Sequence, residues 1–296
     1  MVYNHHGYVL NLLYIAASPL CFNLPVNINS PETGRYIKNE TRWLELLQSA
    51  TGNKTTIVRK LFETKKQIGV RYASFMKIMT ANRMGRYCEA CGNNTQKAMT
   101  LYRKNLKLSQ ELFTIISCFE IALRNAIDAH YTLTLGNDWL QNAASRGGPF
   151  DNRNCQYTQT SINDAIRKLN HYYTHFKLVT ELGFGVWRYM FAPHQFRACG
   201  STLLQIFPAK PRSTPLIQYN QTYVFNQLHA INDLRNRIAH HEPICFVPGQ
   251  PIKDSTYARE HYSLILQLFQ WMDIDEAALL YGIDHIITLC NEIDAL

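Results

Sequence analysis

Residues 108–132 read LSQELFTIISCFEIALRNAIDAHYT. Apolar side chains recur in this stretch every three or four residues, the spacing that places them on one face of a helix. The members of this apolar row are Leu112, Ile116, Phe119, Leu123 and Ile127. A polar row on another face consists of Glu120, Arg124 and Asp128. The pattern predicts a long helix with one buried face.

The rest of the chain repeats this kind of pattern. Helical spacing occurs at 41–50, 55–67, 71–83, 95–105, 160–178, 219–241 and 256–282, whereas sustained alternation of apolar and polar residues is absent. Glycine and proline mark loops at 147–149, 208–215 and 248–251. We therefore predict an all-α fold in which residues 70–296 form one helical bundle. Residues 1–69 are predicted to be an N-terminal extension, whose order the sequence leaves open.

The charge of the chain is unevenly distributed. Its 296 residues are 46% hydrophobic, enough for a sizeable core, and carry a formal net charge of +8. Residues 54–107 are rich in Lys and Arg, and their only acids are Glu63 and Glu89. This asymmetry predicts a surface for a polyanion such as RNA, although an ordinary solvated helix face explains it as well. The candidate phosphate contacts are Lys54, Arg59, Lys60, Lys65, Lys66, Arg71, Lys77 and Arg83.

Cysteine usage and the apolar segments indicate the compartment. The eight cysteines form no framework of paired spacings, which predicts reduced thiols. Cys88 and Cys91 have zinc-ligand spacing, but no second pair completes four ligands, so we expect no metal. Residues 8–23 form an apolar run that lacks a preceding basic segment and is shorter than the roughly 20 residues of a membrane span. We expect a cytoplasmic protein without a membrane segment.

Residues 232–243 read NDLRNRIAHHEP and hold the main candidate site, formed by Arg235, Asn236 and His240. A permanent positive charge beside a proton-transferring imidazole suits cleavage of a phosphodiester. Asn236 and His240 share a helix face, whereas Arg235 and His240 are five residues apart, and Pro243 favours a relaxed last turn there. Alternatively, Asp233 pairs with Arg237 on a solvated face and the histidines complement the helix C-terminus.

A second Leu-Arg-Asn segment lies in the first quoted stretch. Its members are Arg124 and Asn125, followed by His130. These residues are candidates for completing the site. A salt-bridged polar row in a long helix explains the same residues equally well.

With these motifs the chain resembles the Abi-like (abortive infection) proteins of the HEPN superfamily, whose mark is Arg, four to six residues, then His. The resemblance covers about residues 70–282. It also includes Phe-Glu-Ile-Ala-Leu-Arg-Asn-Ala-Ile around Arg124, Trp139, Leu-Gly-Phe-Gly-Val-Trp at 182–187, and Phe207-Pro208. Its opening segment consists of Arg83, Tyr87, Ala98, Tyr102 and Asn105. The aromatic residues of 182–187 are expected to pack the bundle, although an exposed Trp187 would be able to stack a base.

The resemblance implies a helical bundle with metal-independent endoribonuclease activity or RNA binding, and no cofactor. His240 would act as general acid or base on the 2′-hydroxyl or leaving oxygen, Arg235 would stabilise the phosphorane, and Asn236 would orient the pair. His241 and Glu242 match family positions in supporting roles.

The resemblance also implies partners and leaves the assembly of the site open. Either two copies of Arg235 and His240 meet in a homodimer, which we favour, or the first motif completes the site within one chain. The expected partners are an RNA substrate and a noncoding RNA or antitoxin. The alternatives are a non-catalytic RNA-binding or noncoding-RNA-regulated interaction protein of a toxin-antitoxin or defence system, and a purely structural helical protein.

Overall fold

The computed structural model describes residues 71–296. Within this range the secondary structure is helical, apart from one isolated β-bridge between Phe246 and Lys253. The helices are α1 (Tyr72–Met79), α2 (Ala81–Ala90), α3 (Thr95–Leu135), α4 (Trp139–Ala144), α5 (Gln156–Leu169), α6 (His175–Glu181), α7 (Phe184–Tyr189), α8 (Pro193–Ala198), α9 (Gln221–Ala239), α10 (Thr256–Trp271), α11 (Glu276–Leu279) and α12 (Ile286–Asp294), with short 3₁₀ helices at Arg153–Cys155, Asn170–Tyr172 and Leu203–Ile206. The predicted all-α class is confirmed. The helices predicted at 41–50 and 55–67, and the extension 1–69, lie outside the described residues.

Helix α3 is the axis of the described unit. Its 41 residues span about 60 Å, and the Asn94 side chain caps its start by accepting a hydrogen bond from the Lys97 N–H at 3.1 Å. The apolar row predicted from the sequence is buried along its whole length. The sequence predicted two helices, at 95–105 and 108–132, and the structure joins them because Leu106 and Lys107 continue the helical backbone. Helices α2, α7, α9, α10 and α12 pack against α3.

Other predicted helices are divided in the structure. Thr80, at φ 66°, separates α1 from α2 within the predicted helix 71–83. Asn170, at φ 46°, ends α5 within the predicted helix 160–178. The predicted helix 256–282 is divided after Trp271 by a turn in which Asp273 has φ 59°. A positive φ cannot continue a right-handed helix, and each of these residues therefore changes the direction of the chain.

The segment 182–187 packs the bundle, as predicted. The Trp187 side chain is completely buried, and its indole Nε1 donates to the Leu182 carbonyl at 3.1 Å. The indole is therefore not exposed for stacking on a base. Trp139, at the start of α4, is also buried.

Residues 71–296 contain every cysteine of the chain except Cys21. The seven cysteines there are free thiols, and the Cys88 sulfur lies 2.8 Å from the Tyr72 hydroxyl. This range contains no group of three or more His, Cys, Asp or Glu side chains placed to hold a metal ion. None of its helices is both long and apolar enough to cross a membrane.

Candidate functional site

Helix α9 carries the Arg235 motif and ends in a Schellman turn. His240 is the C-cap residue, and His241 follows in the left-handed conformation at φ 57°. The His241 N–H donates to the Ile238 carbonyl at 2.9 Å, and the Glu242 N–H donates to the Arg237 carbonyl at 2.8 Å. These two bonds close the helix and leave both imidazoles exposed at its end.

The Arg237 side chain stabilises this turn from the helix side. Its Nε lies 3.3 Å from a Glu242 carboxylate oxygen, and its Nη2 donates to the Pro243 carbonyl at 3.0 Å. The guanidinium also lies 4.5 Å from the centre of the Tyr257 ring on α10. The alternative pairing of Asp233 with Arg237 is wrong, because the Asp233 carboxylate lies 3.2 Å from His229 Nδ1, one turn earlier.

Residues of α2 and α3 hold the chain that leaves the turn. Both terminal nitrogens of Arg83 donate to the His241 carbonyl, at 3.1 and 2.8 Å. The Oδ1 of Asn105, a buried residue, accepts the Ile244 N–H at 2.9 Å. These contacts join positions about 140 to 160 residues apart in the chain.

Aromatic side chains add further contacts between α2, α3 and the chain that leaves the turn. Tyr87 meets Tyr102 and Phe246 edge to face, with ring centres 5.2 and 5.0 Å apart. Arg86 lies over the Phe246 ring at 4.6 Å, and its Nη2 donates to the Val247 carbonyl at 2.7 Å. Arg83, Tyr87 and Asn105 of the opening segment therefore contact residues 241–246, Tyr102 packs on Tyr87, and Ala98 is buried in the core. Their position fixes where the exit of α9 lies.

The arginines of the two Leu-Arg-Asn segments lie about one carboxyl group. Arg124 and Arg235 are each partly buried, and within the described residues neither Nε has a hydrogen-bond partner. Burial raises the pKa of Glu120, while the charges of Arg235 and Arg124 and a hydrogen bond from the Phe184 backbone lower it. The charges of two arginines with buried, unpaired Nε atoms therefore act on one partly buried carboxyl.

The remaining motif residues on α9 and α3 have unbonded side chains. Within residues 71–296 no hydrogen bond engages the His240 imidazole or the side chains of Asn236 and Asn125, and His240 and Asn125 are exposed. The Asn236 backbone carbonyl accepts the His240 N–H at 2.9 Å. Arg235 and His240 are five residues apart, a spacing that places residues of a regular helix on different faces.

The predicted salt-bridged row on α3 does not form in the described part of the chain. The Asp128 carboxylate instead accepts from Trp139 Nε1 at 2.8 Å and lies 2.6 Å from His175 Nε2. His130 Nε2 lies 2.8 Å from the Thr202 hydroxyl, and burial lowers the pKa of His130. His130 therefore contacts a residue outside both motifs.

The sequence of this chain matches one protein family. A sequence model of the Abi-like protein family matches residues 67–245, more than half of the chain. The chain belongs to the Abi-like family. No curated protein and no solved structure matches it. Membership suggests a role in abortive infection, and the match ends at Cys245, directly after the residue that Asn105 holds.

The basic candidates of this Abi-like protein are only partly described. Lys54, Arg59, Lys60, Lys65 and Lys66 lie outside the described residues. Arg71 and Lys77 are exposed at the two ends of α1. Arg83 uses its terminal nitrogens to hold the His241 carbonyl, so its predicted phosphate contact would be made by the outward side of a guanidinium that is already fixed.

The structural positions of three charged residues of this Abi-like protein were not predicted from the sequence. Glu120 was placed in a polar row but not in the site, although it precedes Arg124 by one helical turn. Arg86 follows Arg83 at a spacing of three, which would have placed both on one face of α2. Arg188 is buried between the rings of Tyr189 and Phe225, at 4.8 and 4.9 Å, and no sequence pattern predicts this position.

Proposed function

We propose that this Abi-like protein is a metal-independent endoribonuclease of the HEPN type that acts in abortive infection or phage defence. One observation carries the proposal. An exposed imidazole, His240, lies at the C-cap of α9, about one and a half helical turns beyond Arg235, a partly buried arginine that forms no salt bridge within the described residues. Such a pair supplies both functions that RNA cleavage needs, proton transfer and stabilisation of negative charge.

The chemistry follows from these two groups. The RNA 2′-oxygen attacks the adjacent phosphorus while its proton passes to a base, and the bond from phosphorus to the 5′-oxygen breaks. The leaving 5′-oxygen takes up a proton. His240 serves one of the two proton transfers, and Arg235 stabilises the phosphorane oxygens. The products are a 2′,3′-cyclic phosphate and a 5′-hydroxyl.

The partners of the arginines support the phosphate role. Arginine binds phosphate oxygens through paired N–H donors, and donors that are already paired with carboxylates are poorly suited to that task. Arg235 and Arg124 form no salt bridge within the described residues. Their charges lower the pKa of Glu120, although neither guanidinium forms an ion pair with its carboxylate. We assign Glu120 a positioning role, since its charge orients two guanidiniums without satisfying their Nε donors.

Cleavage of total cellular RNA in excess chelator tests the proposal. Wild-type protein and the variants His240→Ala and His229→Ala would be compared at equal concentrations. His229 is an exposed histidine earlier on the same helix, which makes it a matched control. We expect wild-type and His229→Ala to cut, and His240→Ala to lose cutting while RNA binding persists. Equal cutting by His240→Ala would contradict the assignment.

Assembly of the site is tested by mixing chains. If a homodimer shares the site between its two copies, Arg235→Ala and His240→Ala chains recover cleavage when mixed dimers form. If the first motif completes the site in one chain, mixing recovers nothing and Arg124→Ala alone abolishes cutting. We propose the homodimer, with a noncoding RNA or antitoxin as its regulator.

A second candidate function is non-catalytic RNA binding. It is favoured by the five-residue offset between Arg235 and His240, a spacing that places residues of a regular helix on different faces. In that case wild-type and His240→Ala bind RNA equally and neither cuts it.

A further inference from the structure

An open cavity of about 610 Å³ lies beside the exit of α9. Its walls come from the end of α1, the start of α2 and the residue that follows the Schellman turn. Residues that line the cavity include Ile78, Asn82, Arg83, Arg86 and Pro243. The volume falls within the roughly 300–1,000 Å³ of small-molecule sites.

The wall of this cavity combines apolar and amide groups. Ile78 is 68% exposed and Pro243 also lines the cavity, so two apolar side chains border it. Asn82 is exposed, and no hydrogen bond within residues 71–296 uses its side chain, which has two donors and an acceptor. Apolar surface beside a free carboxamide matches a flat heterocycle with hydrogen-bonding edges.

The cavity is also positively charged. Arg83 and Arg86 are fixed by backbone carbonyls of His241, Val247 and Gln250, and carbonyls carry no net charge to neutralise them. No carboxylate in the described part of the chain forms an ion pair with either guanidinium. Two fixed and uncompensated cations therefore border a site that suits a flat polar ring with an attached anion.

The position of the cavity links it to the proposed site. Arg83 lines the cavity and holds the carbonyl of His241, the residue next to His240. An occupant of the cavity therefore contacts a side chain that is bonded to the backbone of the residue after His240. A group attached to the cleaved RNA strand is the occupant that fits all these features.

We propose that this cavity is a base-binding subsite for single-stranded RNA. One unpaired nucleobase next to the cleaved bond packs on Ile78 and Pro243, and its edge bonds to the Asn82 carboxamide. The neighbouring phosphate faces Arg83 and Arg86. Single-stranded RNA is read in this way, by packing on base faces and hydrogen bonds to base edges. The subsite rests on the proposed function and adds a source of base preference.

Two variants of exposed residues test the subsite. Asn82→Ala removes the amide, and Ile78→Trp fills the cavity. Their controls are Gln110→Ala and Leu133→Trp on exposed positions of α3, where Leu133 is 87% exposed. Circular dichroism verifies that all four fold. Cut sites are mapped to obtain base frequencies on each side of the cut, and affinity for a labelled unstructured RNA is measured in the His240→Ala background.

We expect wild-type protein to prefer a base at one flanking position and Asn82→Ala to lose that preference. We expect Ile78→Trp to weaken RNA affinity about tenfold, in the range of one lost base contact. Both controls match wild-type protein. Unchanged preference and affinity in an active enzyme overturn the subsite and leave the proposed function standing. If the variants bind RNA more weakly but the wild-type protein cuts no RNA, the subsite is supported and the nuclease proposal is overturned.

Discussion

Asn105→Ala should loosen the turn that carries His240 and destabilise the protein. Asn105 is 2% exposed, and its Oδ1 accepts the Ile244 N–H at 2.9 Å. The Ile244 side chain is buried as well, so no water replaces the lost acceptor easily. The variant therefore leaves a backbone donor unsatisfied in the core.

The magnitude follows from three contributions. A buried donor without a partner costs about 1–3 kcal/mol. Loss of the carboxamide atoms adds a small cavity, while alanine improves helix propensity by about half a kcal/mol, so these two contributions largely cancel. We expect a loss of about 2 kcal/mol in the free energy of unfolding, which lowers the melting temperature by roughly 4–8 °C for a domain of this size.

The assay is urea unfolding followed by circular dichroism, with Asn125→Ala as the control. Asn125 is exposed on the same helix, so this control makes the same chemical change without breaking a described hydrogen bond. It should change stability by less than about 0.5 kcal/mol. Equal stability of the two variants would refute the reasoning that Asn105 holds the exit of α9.

Three further predictions concern the same region. His241→Gly should stabilise the protein by about 1 kcal/mol in thermal unfolding, because glycine adopts the positive φ of this position without strain, and destabilisation would show that the imidazole makes needed contacts. Burial lowers the pKa of His130, so the folded protein binds this proton less readily than the unfolded chain. The stability that His130 contributes is thus present above its unfolded pKa and lost as pH falls through about 6.5 towards its folded pKa. His130→Gln should therefore flatten the decline in unfolding free energy between about pH 7.5 and 5. An unchanged slope would contradict this. Glu120→Gln should raise RNA affinity several-fold at low salt by removing the negative charge beside two arginines, as measured by fluorescence anisotropy, and unchanged or weaker binding would place those arginines outside the RNA surface.

The sequence predicted those parts of the fold that depend on local spacing. The apolar row of α3 predicted its buried face, and the proline at 243 predicted the end of α9 within two residues. The breaks at Thr80 and Asn170 were missed for different reasons. Asparagine commonly adopts positive φ at helix ends, so the break at Asn170 had a local signal that was overlooked. Thr80 is β-branched, and its residue type does not predict the positive φ that it adopts.

The site was predicted less completely than the fold. The Arg235 motif and the exposure of its histidine follow from one helix and its ending. The contact of Asn105 with Ile244 joins residues 139 positions apart, and no periodicity reports such a pair. The same holds for Glu120, whose place beside Arg235 depends on how α3 packs against α9.

The chemistry of the RNA ends tests the central claim most directly. Wild-type protein would be incubated with one labelled single-stranded RNA in excess chelator, and the termini would be identified by mass spectrometry. Attack by the 2′-oxygen with proton transfer at His240 predicts a 2′,3′-cyclic phosphate and a 5′-hydroxyl, both missing with His240→Ala. Fragments with a 5′-phosphate and a 3′-hydroxyl, or equal cutting by His240→Ala, would contradict the account.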